Sequence, residues 1–550
     1  MERTRGVAFA GGLALALASG CSNVDGSGSG AADAGVTAGI TAATMSAGDD
    51  GVDGGGDGDG DGDGDAGDGD GDGDGTGPKF DVGAGDGDGD GDDGGPQVPF
   101  TCDNLDQYDP TSIGCEFWST NWRADPGYGL GIGVGNPSQS MATVTLEQRT
   151  GAGVVTLGTL TLAPQESKVF NVNGPGGILP GQNVNVSNGA NPYAAFRVSS
   201  DVPITAMQVA PLGGGPSHVS EASLLLPQNA LDTSHFAVGY PPISGTGTVA
   251  VVGTEDGTTI NTTAGTATLN AFDVQVFSPG DPTGFFVGAD KPVAVFSGTH
   301  CSFVPAGTLA CDHLEEQVVP ASSWGTKYVG GRHPVRYTAS NSAPEPVYWR
   351  VIAGVDNMTV TVSPAVVAGG SINLGQAGEF FEFTATESFV AESTQPFMLV
   401  QYMASCRVVT PNPVDPMSPC GEPATGDPYM VQMPPVDQWL DALPFLTDTS
   451  YPRDFVILMR EQGTTIDLDC LGPVDASHFT PIPGTNYEVG TVDLDAPGGG
   501  EGSCVDGEQF VSASAPIGIV VGGLDWATSY GYAGGLAFSD LWVPPTTPPG

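Results

Sequence analysis

One proline pattern occurs four times between residues 199 and 517 of this chain of 550 residues. In each copy small or polar residues precede the proline, and an apolar run follows it. The four prolines, spaced 89, 104 and 120 residues apart, are Pro203, Pro292, Pro396 and Pro516. Each copy is followed by a second proline next to apolar residues, at Pro227, Pro320, Pro434 and Pro544. Two series that keep the same order and similar spacing indicate four tandem repeats.

Each repeat contains a short segment in which β-branched or apolar residues alternate with polar ones. These segments are Val144–Leu146, Thr258–Ile260, Thr359–Val362 and Thr464–Leu468. Alternation bounded by turn residues is the pattern of a half-buried strand, and helical periodicity is almost absent. We therefore predict an all-β region of four tandem units of roughly 90 to 120 residues, each β-sandwich-like. A β-propeller is the alternative, although its blades of about 40 to 50 residues would require two blades per unit.

The predicted units span residues 114–231, 232–325, 326–440 and 441–550, within a folded region that covers residues 101–550. Residues 21–100 are predicted to be a disordered acidic linker, because this segment has almost nothing to bury. Between Asp49 and Asp93 it contains 18 Asp and one Lys. Like charges extend such a Gly-rich chain, which predicts a tether. Clustered carboxylates also attract Ca²⁺, so weak, diffuse Ca²⁺ association is expected here, and no other cofactor.

The N-terminus has the composition of an export signal. Met1–Arg5 carries two arginines, an apolar run follows, and small residues precede Cys21. We predict a lipoprotein-type signal peptide over residues 1–20, with Cys21 as the lipid-modified first residue of the mature chain. By resemblance to lipoprotein sorting in Gram-negative bacteria, Ser22 favours the outer membrane. An ordinary cleaved signal, which would give a secreted or periplasmic protein, is the alternative.

The acidity of the chain limits the classes of partner. The formal net charge is -49, with 15 basic against 64 acidic residues. Nucleic-acid binding requires a basic patch, and docking on anionic lipid requires a basic surface; this composition supplies neither. We therefore expect no nucleic-acid partner, and attachment to the outer membrane through the lipid anchor alone.

Eight cysteines remain when Cys21 is set aside, and an even number in an exported chain predicts disulfides. Their clustering favours four short loops, although a sequence does not prove connectivity. The favoured pairs are Cys102 with Cys115, Cys301 with Cys311, Cys406 with Cys420, and Cys470 with Cys504. Zinc binding is a weak alternative, because C-x-x-C and HExxH spacings are absent.

The second of these pairs would bring together two imidazoles and three carboxyls, those of His300, Asp312, His313, Glu315 and Glu316. Such a set can bind a divalent metal or form an acid/base pair. The alternative is a structural loop whose charges face solvent or cap nearby backbone. Because a G-x-S-x-G elbow is absent, we expect no enzyme. A hydrolase of polysaccharide that pairs Glu315 with another acid is the catalytic alternative.

Four segments carry a resemblance to a known family: Ser223–Pro227, Gly253–Ile260, Asp290–Gly298 and Cys311–Gln317. They are similar to the IgGFc-binding protein N-terminal domain family, which is named after a secreted mucus protein of animals and has many bacterial members. The similarity runs from about Gly114 to the C-terminus. It implies an extracellular, non-catalytic recognition or adhesion module, and it transfers no ligand-contact residue to this chain.

Together these observations predict a cell-surface, lipid-anchored binding or adhesion protein that recognises an extracellular glycan, polymer or protein. The sequence leaves the ligand-binding residues unknown. Two alternatives come from other classes: the secreted carbohydrate-active hydrolase, and a structural surface-coat protein without a discrete ligand.

Overall fold

The computed structural model describes residues 100–122, 127–336, 343–409, 420 and 425–549. The signal sequence, Cys21 and most of the linker lie outside these residues. In the described part of the chain strands dominate, with one α-helical turn at Cys406–Val409, and the all-β prediction is confirmed. The same part contains no helix that is long and apolar enough to cross a bilayer. Short 3-10 helices lie at Leu105–Gln107, Gln228–Ala230, Ala321–Ser323, Ala368–Gly370, Val436–Gln438 and Ala476–His478.

The strands fall into four groups along the chain, and the first two groups each build one antiparallel sheet. The first group is β1 (Gly114–Ser119), β2 (Gly131–Gly135), β3 (Ala142–Thr150), β4 (Gly153–Leu162), β5 (Ser167–Asn171), β6 (Gly189–Asn191), β7 (Phe196–Ala210) and β8 (Glu221–Leu224). The second is β9 (Asp232–Phe236), β10 (Thr248–Gly253), β11 (Thr258–Thr262), β12 (Gly265–Leu269), β13 (Val274–Phe277), β14 (Phe286–Ser302) and β15 (Asp312–Gln317). Strand β6 leaves its own group and pairs with β13.

The third group forms two separate four-stranded sheets, and the fourth again forms one. The third group is β16 (Lys327–Gly330), β17 (Val347–Ala353), β18 (Met358–Ser363), β19 (Ser371–Leu374), β20 (Phe380–Ala385), β21 (Phe389–Glu392), β22 (Phe397–Tyr402) and β23 (Met430–Gln432). The fourth is β24 (Leu440–Leu446), β25 (Asp454–Glu461), β26 (Ile466–Leu468), β27 (Gly472–Pro473), β28 (Phe479–Pro481), β29 (Tyr487–Asp495), β30 (Glu508–Asp525) and β31 (Thr528–Ala533).

The third group displays most plainly the topology that all four groups share. Its two sheets have the orders β16-β21-β18-β19 and β20-β17-β22-β23, and the inner residues of both belong to one hydrophobic core. In the other groups one long strand, β7, β14 or β30, replaces β21 and β22 and therefore belongs to both layers. Two antiparallel layers over a shared core make the fold β-sandwich-like.

The prolines of the first sequence series lie where the chain passes from one layer to the other. Pro203, Pro292 and Pro516 lie within the long strands, and Pro396 lies between β21 and β22. In β7, residues Phe196–Ser200 pair with β1 and β3, whereas Thr205–Ala210 pair with β2 and β8. Because proline has no N–H to donate to a ladder, it suits the point at which a strand changes partners.

The predicted alternating segments also occupy equivalent positions. They fall in β3, β11 and β18, and the last of them overlaps β26 over Ile466–Leu468. Each of these strands pairs with the first half of its group's long strand, or with β21 in the third group. The alternation reflects one buried and one exposed face, as in the burial of β18, where every second residue is buried.

Hydrophobic residues of all four groups join in one extended core. Its largest fully buried side chains include Trp118, Trp324 and Trp349. The eight cysteines form disulfides in the four pairs that their clustering favours: Cys102–Cys115, Cys301–Cys311, Cys406–Cys420 and Cys470–Cys504. Each bridge closes a loop within one group, which limits the freedom of that loop in the unfolded chain.

Candidate functional site

The last strands of the four groups come together. Strand β8 contacts β15 and β31, and β23 contacts the same two strands. We call these four the central strands. Every residue in them is buried, although several are acidic. Since buried polar groups require hydrogen-bond partners, each of these carboxyls needs a partner within the fold.

Glu221 of β8 connects three of the central strands. Its carboxyl accepts hydrogen bonds from the backbone N–H of Gly531 at 3.0 Å, of Ala222 at 3.1 Å and of Met430 at 3.3 Å. These donors lie in β31, β8 and β23, so one side chain satisfies backbone groups that neighbouring strands leave open.

Two acidic residues of β15 act in the same way. Asp312 accepts the backbone N–H of Ser529 in β31 at 3.2 Å. Glu316 accepts the hydroxyl of Ser223 at 3.2 Å and the backbone N–H of Gln432 in β23 at 3.4 Å. Each carboxyl thereby ties the second group to at least one other group.

The pair His313 and Glu315 is held by a shared proton. His313 Nδ1 lies 2.8 Å from the carbonyl oxygen of Thr299, which only accepts, so Nδ1 carries a hydrogen. His313 Nε2 lies 3.0 Å from Glu315 Oε2, and the other Glu315 oxygen accepts from the Gln208 side-chain amide. One proton therefore lies between Nε2 and Oε2. Both side chains of the pair are buried.

Burial favours the protonated form of these carboxyls. It raises the pKa of Glu315 to about 8, and it raises the pKa of Glu221, Asp312 and Glu316 well above the usual range. The neighbouring Asp427 adds to the shift of Asp312, and its own pKa rises to about 8, again through burial. Neutral carboxyls explain how a chain can bury so many acidic residues together.

The five residues considered as metal ligands are divided between two environments. Asp312, His313, Glu315 and Glu316 are buried among the central strands, whereas His300 is exposed on β14. The carboxyls cap backbone, as the structural interpretation expects, but they face the interior and not solvent. In the described part of the chain, one group of three ligand-type side chains converges, Cys406, Cys420 and Asp427, and its two sulfurs form a disulfide. The metal hypothesis for the five residues stays a prediction.

Four loops meet at one end of the central strands. In each group the loop that enters the central strand follows the long strand or β22, and the described residues of these loops are 211–220, 303–311, 403–409 with 420 and 425–429, and 526–527. We call this surface the loop end. The loops contact one another directly: Gly215 N–H donates to Asp525 at 2.7 Å, and Ser405 N–H donates to the carbonyl of Val304 at 2.7 Å.

Side chains typical of interfaces lie at the loop end: His218 and Leu309 are exposed, and Trp526 and Arg407 are half-buried. The rings of His218 and Trp526 lie 4.7 Å apart, edge to face, although they come from the first and fourth groups. Leu309 is 52% exposed, and its carbonyl accepts the backbone N–H of Arg407 at 3.0 Å. The disulfides Cys301–Cys311 and Cys406–Cys420 fix two of the loops. Sequence reasoning missed this surface, because its residues are spread over more than 300 positions and share no motif.

The fold and its bridges define a class of protein: an all-β, disulfide-linked module of the exported type. The comparison with protein families identifies the family within this class. A family model described as IgGFc binding protein matches residues 221–523, more than half of the chain, and the chain belongs to this family. The human IgGFc-binding protein is 34% identical to it over an alignment of 143 residues, and the match covers 22% of this chain. The chain spans only 3% of that relative's length.

Proposed function

We propose that this chain is a cell-surface, non-catalytic binding or adhesion protein, and that it recognises a protein ligand through the loop end. The observation that carries the proposal is the convergence of loops from all four groups on one surface. An aromatic residue, an exposed leucine and an arginine lie there together, and aromatic residues and arginine are enriched in protein interfaces. Hydrogen bonds and disulfides hold the loops in place, which lowers the entropy cost of binding.

The attachment is part of the same proposal. A lipid on Cys21 would hold the chain at the outer membrane, and the acidic linker would carry residues 101–550 away from the bilayer. The Cys21→Ser variant tests it: we expect loss of metabolic labelling with a radioactive fatty acid and release of the protein from the membrane fraction. Labelling that persists in this variant would contradict the anchor.

Binding is tested with the full chain and three probes. These are immunoglobulin Fc, suggested by the name of the human relative, envelopes of the producing organism, and a glycan array. We expect saturable binding to a protein component. The double variant Leu309→Ala and Trp526→Ala should weaken it at least tenfold. The matched control is Val543→Ala, since Val543 is 92% exposed and its neighbour Trp542 donates to the carbonyl of Ala321, which follows β15 at the end away from the loop end.

Three results would count against the proposal. Equal binding by the double variant would move the ligand site away from the loop end. Binding only to glycans would make the ligand a carbohydrate. Self-association without binding to any probe would favour a structural surface-coat protein.

A further inference from the structure

Three aspartates of the fourth group meet at one end of its sheet. Asp448 follows β24, Asp454 is the first residue of β25, and Asp506 precedes β30. Asp495, the last residue of β29, is the register partner of Asp454. The carboxyls of Asp454 and Asp506 are within hydrogen-bond range of each other, and Asp448 is close enough to act on both electrostatically. Residues from four different strand ends thus supply one acidic cluster.

Each of the three carboxyls has a buried oxygen that receives no hydrogen bond from a donor among the described residues, although the carboxyls of Asp454 and Asp506 lie close to each other. These oxygens are Asp448 Oδ2, Asp454 Oδ2 and Asp506 Oδ1. Asp454 is fully buried, and Asp448 is 5% exposed. Their other oxygens are used: Tyr530 donates its hydroxyl to Asp454, and Ser450 donates its N–H and hydroxyl to Asp448 at 2.9 and 2.7 Å. An unpartnered buried carboxyl oxygen is costly, so three in one place call for a ligand.

The described residues provide no cation for this cluster. Arg453, the adjacent residue, pairs with Asp493 at 3.0 Å. The contrast is Glu345, a buried carboxyl that Arg332 contacts at 3.2 Å and Arg336 at 3.1 Å. Burial would raise the pKa of Glu345, but His333 and the two arginines hold it at about 2.

At the aspartate cluster the pKa values of the carboxyls are raised, in contrast to the lowered pKa of Glu345. Burial raises the pKa of Asp454 well above its usual range, and the neighbouring Asp506 and Asp448 add to that shift. Burial and the nearby Asp495 raise the pKa of Asp506 to about 6.

We propose that Asp448, Asp454 and Asp506 bind a calcium ion. An all-oxygen set of carboxylates suits a hard cation, and Ca²⁺ accepts irregular geometry and further oxygens from backbone or water, whereas Mg²⁺ demands a near-ideal octahedron. The ligand atoms of the three side chains do not all lie within 4.8 Å of one another, so binding requires a side-chain rotation. This site is distinct from the linker and from the loop end.

The test uses Tb³⁺ as a calcium probe on the full chain, with excitation of tyrosine and tryptophan. The linker, which also attracts cations, has no Tyr or Trp between residues 22 and 99 and is silent in this assay. Tyr530 contacts Asp454 directly and is the nearest sensitiser. We expect Tb³⁺ emission that Ca²⁺ displaces and Mg²⁺ does not. The Asp454→Asn variant should lose this emission.

Glu508→Gln is the matched control. Glu508 has two buried oxygens without a partner and lies two residues from Asp506, yet it lines a small cavity together with Gln165 and Pro444. This variant should keep the Tb³⁺ emission. Absence of Ca²⁺-sensitive emission from the wild-type chain, or equal emission from Asp454→Asn, would overturn the proposal.

Thermal unfolding gives a second, independent readout. Calcium should raise the Tm of the wild-type chain and of Glu508→Gln, but not that of Asp448→Asn or Asp454→Asn. In EDTA the two Asn variants should unfold at the same temperature as the wild type or higher, because they remove repulsion among buried acids. A purely structural role for Asp454 predicts a lower Tm in EDTA for its variant and an unchanged response to Ca²⁺, and that outcome would refute the site.

Discussion

Replacing Glu221 by Ala and by Gln tests whether carboxyls hold the four groups together. The Ala variant leaves the backbone N–H groups of Ala222, Met430 and Gly531 without an acceptor. At about 1 kcal/mol for each lost bond, the low end of the range for a buried unsatisfied donor, the free energy of unfolding falls by about 3 kcal/mol. A folded domain is stable by about 5–15 kcal/mol, so this loss is large.

The Gln variant keeps one of the two acceptor oxygens. Its amide oxygen can still accept from Ala222 and Gly531, while its NH₂ group faces the N–H of Met430, so one bond is lost at about 1 kcal/mol. Urea unfolding followed by tryptophan fluorescence measures both variants, with the exposed Glu255→Ala as control, expected to change stability by less than about 0.5 kcal/mol. If the Ala variant costs no more than the Gln variant, the three bonds do not stabilise the junction and the reasoning fails.

Two further predictions concern pH and a buried arginine. Because burial raises the pKa of Glu315 to about 8 in the folded chain, its contribution is complete below the unfolded value of 4.5 and is lost as pH rises towards 8. Urea midpoints should therefore fall between pH 5 and pH 8, and less steeply in Glu315→Gln; a rise would contradict the assignment. Arg350 pairs with Asp281 and Glu382, each at 2.9 Å, and joins the second group to the third. Arg350→Ala should lower the free energy of unfolding by about 3–5 kcal/mol, measured by urea unfolding, and Arg350→Lys should recover only part of it; an unchanged midpoint would refute this.

The repeated topology could be predicted because it depends on the properties of short segments of the chain. Proline cannot donate to a ladder, so the same residue recurs at each place where a strand leaves one layer for the other, as at Pro203 and Pro292. Alternation likewise follows from the two faces of a strand and identified β3, β11 and β18. Cysteines close in sequence paired with each other, which short loops favour. These signals depend on residues that are close along the chain, and such residues can be recognised directly in a sequence.

The environment of the acidic residues could not be predicted, because it depends on which distant strands meet. In the sequence, Glu315 and Glu316 resemble surface residues next to a disulfide loop. Nothing in the sequence indicates that Gln208 and Gln432 donate hydrogen bonds to them. The exposed His300 belongs to the same sequence cluster but lies in another environment. The aspartate cluster of the fourth group also escaped notice, since its members lie as far as 58 positions apart, from Asp448 to Asp506.

The form of the loop end depends on the hydrogen bonds between the central strands. A binding surface assembled from loops of four groups keeps its form only if the groups stay in register, and hydrogen bonds between the central strands hold them there. Asp427 shows the connection: its carboxyl accepts the N–H of Cys406 in a loop at 2.8 Å, and its own N–H donates to Ser529 of β31 at 2.9 Å. Ionisation of the buried carboxyls weakens that junction. Binding through the loop end should therefore decline over the same pH range in which the fold loses stability, although no titrating group touches the ligand.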